Sequence, residues 1–359
     1  MRMLLVALVV VATALAAPPA GACTTFLLKH GQEVIVGKSY DYTIGQALLV
    51  FNKRGVVKQA LGAESGATPA RWTSKYASLT FNQFGREIPN GGMNEAGLVV
   101  EVMSLAASVT PPTDARPTVN ELQFIQWLLD QFGTVGEVVA HAQDVRVHRV
   151  YMGVHYLACD AGGACAAIEH VNGRVVVTSG RALKVPVLTN TTYAESIEFL
   201  TRHRGLGGDE ALPAGTDSLS RFARAAAHAT RGRASSVPAA AFAVLDDVRM
   251  PDYTKWNIVY MPKQQRIYWR TAAQGAVKSV DLKKFATACG TPVLVLDIDS
   301  SAPGDATGRF EEYTPAANEA LVRSSYEDMV SKLPPGAVER VVRYPESLPC
   351  ATSTAHPLK

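Results

Sequence analysis

The sequence lacks the signatures of most metal, phosphate and serine chemistry. No His-Glu-x-x-His pair occurs among its 8 histidines, and His148, His155 and His170 stand singly in or beside strand-like runs, as structural histidines do. There is no Gly-x-Ser-x-Gly turn and no Walker-type loop, so neither a serine elbow nor a phosphate cradle is indicated. No metal and no cofactor are expected. Charge of one sign is scarce as well. Lys and Arg number 35 against 32 Asp and Glu, and the resulting +3 is too weak and too evenly spread to argue for nucleic acid. The longest apolar run, Leu4 to Ala17, is interrupted only by Thr13 and falls short of the about 20 residues that span a bilayer, so no stable membrane insertion is expected. With 47% hydrophobic and 19% charged residues, the chain is not mostly disordered. It shows no internal repeat.

Cysteine is also sparse, and its odd count is informative. Of Cys23, Cys159, Cys165, Cys289 and Cys350, one must be left over if the others pair. Cys159 and Cys165 flank the turn-forming Asp160 to Ala164 and can face each other across a hairpin. Cys289 and Cys350 can close the C-terminal segment, though sequence proves neither pairing. If both form, Cys23 is the free thiol, in a compartment that permits bridges.

Cys23 follows what reads as a secretion leader. Met1-Arg2-Met3 is a short basic start, the apolar run comes next, Pro18-Pro19 ends any helix, and Ala20-x-Ala22 supplies small residues for cleavage. Removing residues 1–22 would make Cys23 the first residue, carrying a thiol and a free α-amine together. An α-amine titrates at about 7.7 to 8.0 and can take the thiol proton near neutral pH, so one residue would supply nucleophile and base. Two rival readings stand beside this one. A lipoprotein signal would acylate the same cysteine, although Ala20 stands where an aliphatic residue is usual; alternatively, Cys23 is half of a structural disulfide. Export, to periplasm or medium, is the expected localisation.

The 359 residues less a 22-residue leader leave 337, enough for one large domain with an extension. Thr24 to Leu28, Glu33 to Gly37, Ala47 to Phe51 and Leu98 to Met103 read as strands. Thr118-Val119-Asn120-Glu121 reads as a capping box opening a helix to Gly133, and Thr134 to Glu137 as a second box. Strands return at Arg149 to Cys159, Ala164 to His170 and Arg174 to Thr178, the last two joined by an Asn172-Gly173 turn. A third box at Thr192 to Glu195, helices from about Ser220 to Ala229 and after Pro238, and a hairpin of Trp256 to Met261 with Arg266 to Thr271 complete the main part. A helical run from Thr314-Pro315 through Leu333 follows. This order suits an α+β fold, two antiparallel sheets stacked face to face with helices outside each. The expected domains are 23–300 and a C-terminal helical extension, 301–359.

Five motifs carry a family resemblance. Cys23-Thr24-Thr25-Phe26, Gly37-Lys38-Ser39-Tyr40-Asp41, Gly92-Met93-Asn94-Glu95-Ala96-Gly97-Leu98, Leu188-Thr189-Asn190 and Ser220-Arg221-Phe222-x-Arg224 occur in the order seen in the choloylglycine hydrolase and penicillin V acylase family. The likeness spans most of residues 23–275. It implies the four-layer αββα sandwich of N-terminal nucleophile hydrolases and hydrolysis of linear, non-peptide amides. By resemblance Cys23 is nucleophile and base, Asp41 holds the amine or thiol in register, Asn190 helps form the oxyanion hole, and Arg221 braces the site. Taken alone, Asp41 reads as a solvated turn acid and Arg221 as a surface helix arginine, as does Arg224. Lys38 stands where the family usually has arginine, keeping the charge but losing the planar fork of donors. Counting on from Asn94, Ser104 falls where relatives often place asparagine or tyrosine near the oxyanion, and by the same resemblance Ser104 and Asn94 are the expected oxyanion or substrate-binding residues.

The expected activity is an exported cysteine amidase acting on a small-molecule amide. Bile-salt, penicillin V and acyl-homoserine-lactone amides all stay open as substrates. An acyltransferase using the same acyl-enzyme, or a non-catalytic binding protein on the same fold, are the alternatives, and homo-oligomerisation is open.

Overall fold

A computed structural model describes residues 22–62, 64–231, 238–300 and 302–352. Apart from Ala22, the expected leader lies outside the described residues. The architecture is α+β, with two large sheets stacked on each other. The first has seven strands in the order Val187–Leu188, β1 (Thr24–His30), β2 (Glu33–Asp41), Thr254–Met261, Arg266–Thr271, Lys278–Asp281 and Gly304–Asp305. The second has nine, running from Arg174–Ser179 through Cys165–Val171, Val154–Cys159, Val99–Ser104, Gly91–Asn94, Ser78–Asn82 and Leu48–Asn52 to Leu294–Asp297 and Glu311–Glu312. Within these two sheets the described strands pair antiparallel except where Lys278–Asp281 meets Gly304–Asp305.

Both faces of each central strand are covered, which explains why β2 is apolar along most of its length and buried after its first residue. Helices α1 (Gln123–Gln131) and α2 (Val135–His141) lie on the nine-stranded sheet, where Phe124, Ile125, Leu128 and Val138 pack with Val100, Tyr156 and Ile168. Helices α3 (Tyr193–Leu200), α4 (Ser218–Arg231) and α5 (Ala239–Asp247) cover the seven-stranded sheet, with Phe222, Ala226 and Leu245 joining a core that includes Phe26, Ile35 and Trp256. After residue 302 the chain adds an edge strand to each sheet. It then forms α6 (Pro315–Tyr326) and α7 (Ala337–Arg343), which pack against Phe84 and Ile88.

Local signals translate directly in several places. The boxes at Thr134 and Thr192 form with both reciprocal hydrogen bonds. Asn172 and Gly173 take positive φ of 52° and 74°, as a two-residue hairpin of this type requires. Other readings are corrected. Thr118 opens no helix, because Thr118–Asn120 pairs in parallel with Arg146–His148. Asn120 instead accepts from the amides of Leu122 and Gln123 at the start of α1, while Glu121 caps the amides of Val150, Tyr151 and Met152. The strand expected from Arg149 begins at Val154. The helical run expected through Leu333 stops at Tyr326 and tightens into a 3₁₀ segment, Glu327–Lys332.

Candidate active site

Cys23 sits just ahead of β1, buried, and is the free cysteine among the described residues: Cys159 is bridged to Cys165 and Cys289 to Cys350. The β1–β2 register pairs Thr24 with Ser39 and Thr25 with Lys38, so the end of β2 carrying Tyr40 and Asp41 runs alongside Cys23. The Asp41 backbone lies close enough to the Cys23 thiol to favour its ionised form. Burial pushes that thiol above its ordinary range; the Lys38 charge is the largest opposing influence, and Arg221 adds to it.

Arg221 ties the site together from α4. Its guanidinium donates to the Cys23 carbonyl at 2.8 Å, to Thr24 Oγ1 at 2.6 Å, to Asn190 Oδ1 at 2.8 Å and to the Thr216 carbonyl at 2.9 Å. It is 1% exposed, so the surface-arginine reading does not hold for it. Arg224, three residues on, turns elsewhere, donating to the carbonyls of Pro213, Gly215 and Asp247. Helical phase thus separates two arginines that look alike in sequence.

Asn190 follows the short strand Val187–Leu188 and precedes α3. Ser218 Oγ receives its backbone N–H at 2.8 Å, and its side-chain amide donates to both the carbonyl and the Oγ of Ser104, each at 2.9 Å. Ser104 therefore holds the Asn190 amide in orientation. Behind it, His155 bridges the Thr189 carbonyl and Glu169, and Glu169 accepts the first amide of α3.

Lys38 and Asp41 occupy opposite faces of β2, as their odd spacing dictates. Lys38 reaches between the sheets to the Val102 carbonyl, to Met103 Sδ at 3.5 Å and to Glu101 at 3.5 Å, the pair being almost fully buried. Glu101 also accepts from Tyr260. Asp41 Oδ1 accepts from Ser39 at 2.7 Å and from Thr254 at 2.6 Å; its Oδ2 is buried with no partner among the described residues. Burial raises the Asp41 carboxyl above the usual range against the pull of Thr254 and Arg221.

Of these groups Cys23, Asp41 and Ser104 line a cavity of about 1140 Å³, together with Tyr42, Phe84 and Met152 among others, while Lys38, Asn190 and Arg221 stand behind its surface. Asn94 has no part in it. Its amide donates to the carbonyls of Leu129 and Phe132, and its Oδ1 receives the amides of Ala96 and Leu98, so it clamps the end of α1 to a strand turn. The expectation of a substrate-binding Asn94 is thereby corrected. Sequence reading missed Glu101, Ser39, Thr254 and Ser218. Glu101 alone carried a signal, an acid inside the aliphatic run Val99 to Met103. Among the described residues no group of three His, Cys, Asp or Glu is placed to hold a metal, and no helix is long and apolar enough to cross a membrane.

Comparison with known proteins agrees with this geometry. The model of the linear amide C-N hydrolases, choloylglycine hydrolase family, matches residues 23–230. A penicillin V acylase of Pectobacterium atrosepticum is 26% identical, the match covering 86% of this chain and 95% of that protein. The solved penicillin V acylase from Agrobacterium tumefaciens matches with a TM-score of 0.71 at 28% identity, covering 82% of this chain and 98% of the other. A mutant conjugated bile acid hydrolase from Clostridium perfringens shares the fold, with a TM-score of 0.64 at 17% identity over 79% of this chain and 98% of its own.

Proposed function

The chain belongs to the choloylglycine hydrolase family of linear amide C–N hydrolases, and from that premise we propose that it is an exported amidase in which cleavage after Ala22 makes Cys23 an N-terminal nucleophile. The convergence of Arg221, Asn190, Lys38 and Asp41 on the free cysteine carries this reading. Two further observations support it. Asp41 Oδ2 is a buried acceptor without a donor among the described residues, and the Asp41 charge acts on Cys23, so an α-ammonium on that residue would meet an opposite charge. Two disulfides suit an oxidising compartment. On this reading residues 1–22 are a leader, 23–300 the hydrolase domain and 301–359 an extension fastened to it.

The α-amine of Cys23 takes the thiol proton, and the thiolate adds to the amide carbonyl. The Asn190 amide turns one donor from Ser104 Oγ to the resulting oxyanion, a contact whose loss typically costs about 10²- to 10³-fold in rate. Lys38 and Arg221 hold the thiolate electrostatically. As the C–N bond breaks, the α-ammonium returns its proton to the departing amine, leaving a thioester. Water, deprotonated by the same α-amine, then adds to the thioester; the C–S bond breaks, the carboxylic acid leaves and the thiol is restored.

The test joins intact mass and N-terminal sequencing of the exported protein with turnover of penicillin V, a conjugated bile salt and an acyl-homoserine lactone. A chain beginning at Cys23 that hydrolyses at least one of these, and loses that activity on Cys23→Ala, is the expected result. A mature chain beginning elsewhere, or a lipid-modified Cys23, removes the general base and refutes the mechanism.

A further inference from the structure

The family match ends at residue 230, yet the cavity does not. One of its walls is built by the C-terminal segment, through Tyr326, Met329, Leu333, Ala337, Val341 and Tyr344. These residues are apolar or aromatic, and they stand in the same cavity as Cys23, Asp41 and Ser104. At about 1140 Å³, that space exceeds the roughly 300–1,000 Å³ of ordinary small-molecule sites, so it is larger than a compact acyl group needs.

The wall is held in place at several points. Asn318, fully buried, accepts the Arg86 amide at 2.8 Å and donates to the Val342 carbonyl at 3.2 Å, locking α6 and α7 to the loop that carries Phe84 and Ile88. Gly85 lets them approach: at its φ of +115° a Cβ would stand 2.8 Å from Val322 and 3.1 Å from Val341. Tyr344 OH donates to the Gln59 carbonyl at 2.8 Å. Beyond it, the Val57 amide donates to the Pro349 carbonyl at 2.9 Å, the Ala351 amide to the Gly55 carbonyl at 2.7 Å, and Cys350 is bridged to Cys289. A segment fixed by hydrogen bonds, packing and a disulfide presents a set surface to whatever enters.

We propose that this C-terminal segment is the acyl-binding wall of the enzyme and sets which carboxylic acid it accepts, favouring amides of long apolar acids over short ones. The proposal rests on Cys23 being the nucleophile. An acyl group whose carbonyl lies at Cys23 must extend into the cavity, and each methylene laid against this surface leaves water, worth about fourfold in binding from transfer alone. Hydrophobic pockets discriminate by roughly 10- to 200-fold per methylene gained or excluded.

The experiment compares kcat/KM across N-acyl amides of one amine, from butanoyl to dodecanoyl, for the wild type, Ala337→Phe and the control Val330→Ser. Ala337 is half-buried and lines the cavity, so phenylalanine there fills space without entering the core. Val330 lies in the same segment but is 54% exposed and outside the cavity lining. The expected result is a wild-type preference for long chains, read as the dodecanoyl-to-butanoyl ratio of kcat/KM, that Ala337→Phe reduces at least tenfold while the Val330→Ser profile is unchanged. Parallel profiles for all three overturn the wall. If the wild type hydrolyses no chain length, the nucleophile reading fails instead. The wall is then judged by dodecanoate displacing a bound fluorescent fatty acid: tenfold weakening in Ala337→Phe upholds it, and equal affinity overturns it.

Discussion

Replacing Glu101 by glutamine separates charge from shape at the centre of the molecule. Glu101 is fully buried between the sheets, 3.5 Å from Lys38 Nζ and bonded to Tyr260. Gly91 stands opposite it in the neighbouring strand and admits its carboxylate, since a Cβ there would lie 2.4 Å from the carboxylate atoms. Burial pushes the Glu101 pKa up from an ordinary 4.5 to about 7, with Lys38 and Tyr260 pulling the other way. Between those two values the folded protein keeps a proton that the unfolded chain has released. Stability contributed by the neutral acid is therefore complete below pH 4.5 and is lost as pH rises through 7. At about 1.4 kcal/mol per pH unit, the loss reaches roughly 3 kcal/mol. Glu101→Gln has no such proton to lose. Whatever constant offset the substitution imposes, its stability relative to the wild type should rise by roughly 3 kcal/mol between pH 4.5 and 8. Urea unfolding of both proteins across that range, followed by tryptophan fluorescence, reads the difference as a diverging midpoint at equal m-value. A difference that stays constant with pH would refute the reasoning.

Lys38 opposes the burial of the Cys23 thiol, so removing its charge should move thiol ionisation upward. The Lys38→Met, Glu101→Gln pair, which avoids stranding Glu101, should shift the pH limb of iodoacetamide alkylation at Cys23 to higher pH; an unmoved limb would show that Lys38 does not act on the thiol. Asn190→Ala should lower kcat by about 10²- to 10³-fold with KM changed little, and steady-state kinetics showing the loss in KM alone would remove Asn190 from the oxyanion role. Cys289→Ser with Cys350→Ser opens a bridge spanning 61 residues and should cost about 2 to 5 kcal/mol in denaturant unfolding; an unchanged midpoint would mean that hydrogen bonds and packing alone hold the C-terminal segment.

Short-range patterns were the legible part of this fold. The capping boxes at Thr134 and Thr192, the Asn172-Gly173 hairpin and the Cys159–Cys165 pairing all depend on residues a few positions apart. Thr118 to Glu121 has the same pattern and fails, because distant groups compete for it: Arg146–His148 takes the backbone and the loop at Val150 takes the Glu121 carboxylate. The site was legible through motif order, which brought Cys23, Asp41, Asn190 and Arg221 to one place. Asn94 belonged to a motif yet serves packing, and nothing local distinguishes those uses of an amide. The C-terminal wall was beyond reach, since its contacts with Gln59, Gly85 and Arg86 cross more than 200 residues.

The two departures from the family pattern, Lys38 and Ser104, meet on one element. The strand Val99–Ser104 faces β1 and β2 across the sheet interface. Its Met103 sulfur receives the Thr25 hydroxyl at 3.0 Å and lies 3.5 Å from Lys38 Nζ, its Val102 carbonyl takes the Lys38 ammonium, and its Glu101 balances that charge. At its end Ser104 orients the Asn190 amide, which Arg221 in turn links to the Cys23 carbonyl. An arginine at position 38 would bring a wider, planar set of donors to a slot in which a carbonyl, a thioether and a carboxylate converge on a single ammonium nitrogen. Lysine is the cation that suits this slot, and Gly91 makes room for the acid that accompanies it. Lys38→Arg should therefore lower activity, although arginine is the usual family residue here. Glu101→Gln introduced beside it should not restore that activity, because the misfit is one of shape; recovery to the wild-type kcat by Lys38→Arg alone would show that the slot is built for the guanidinium after all.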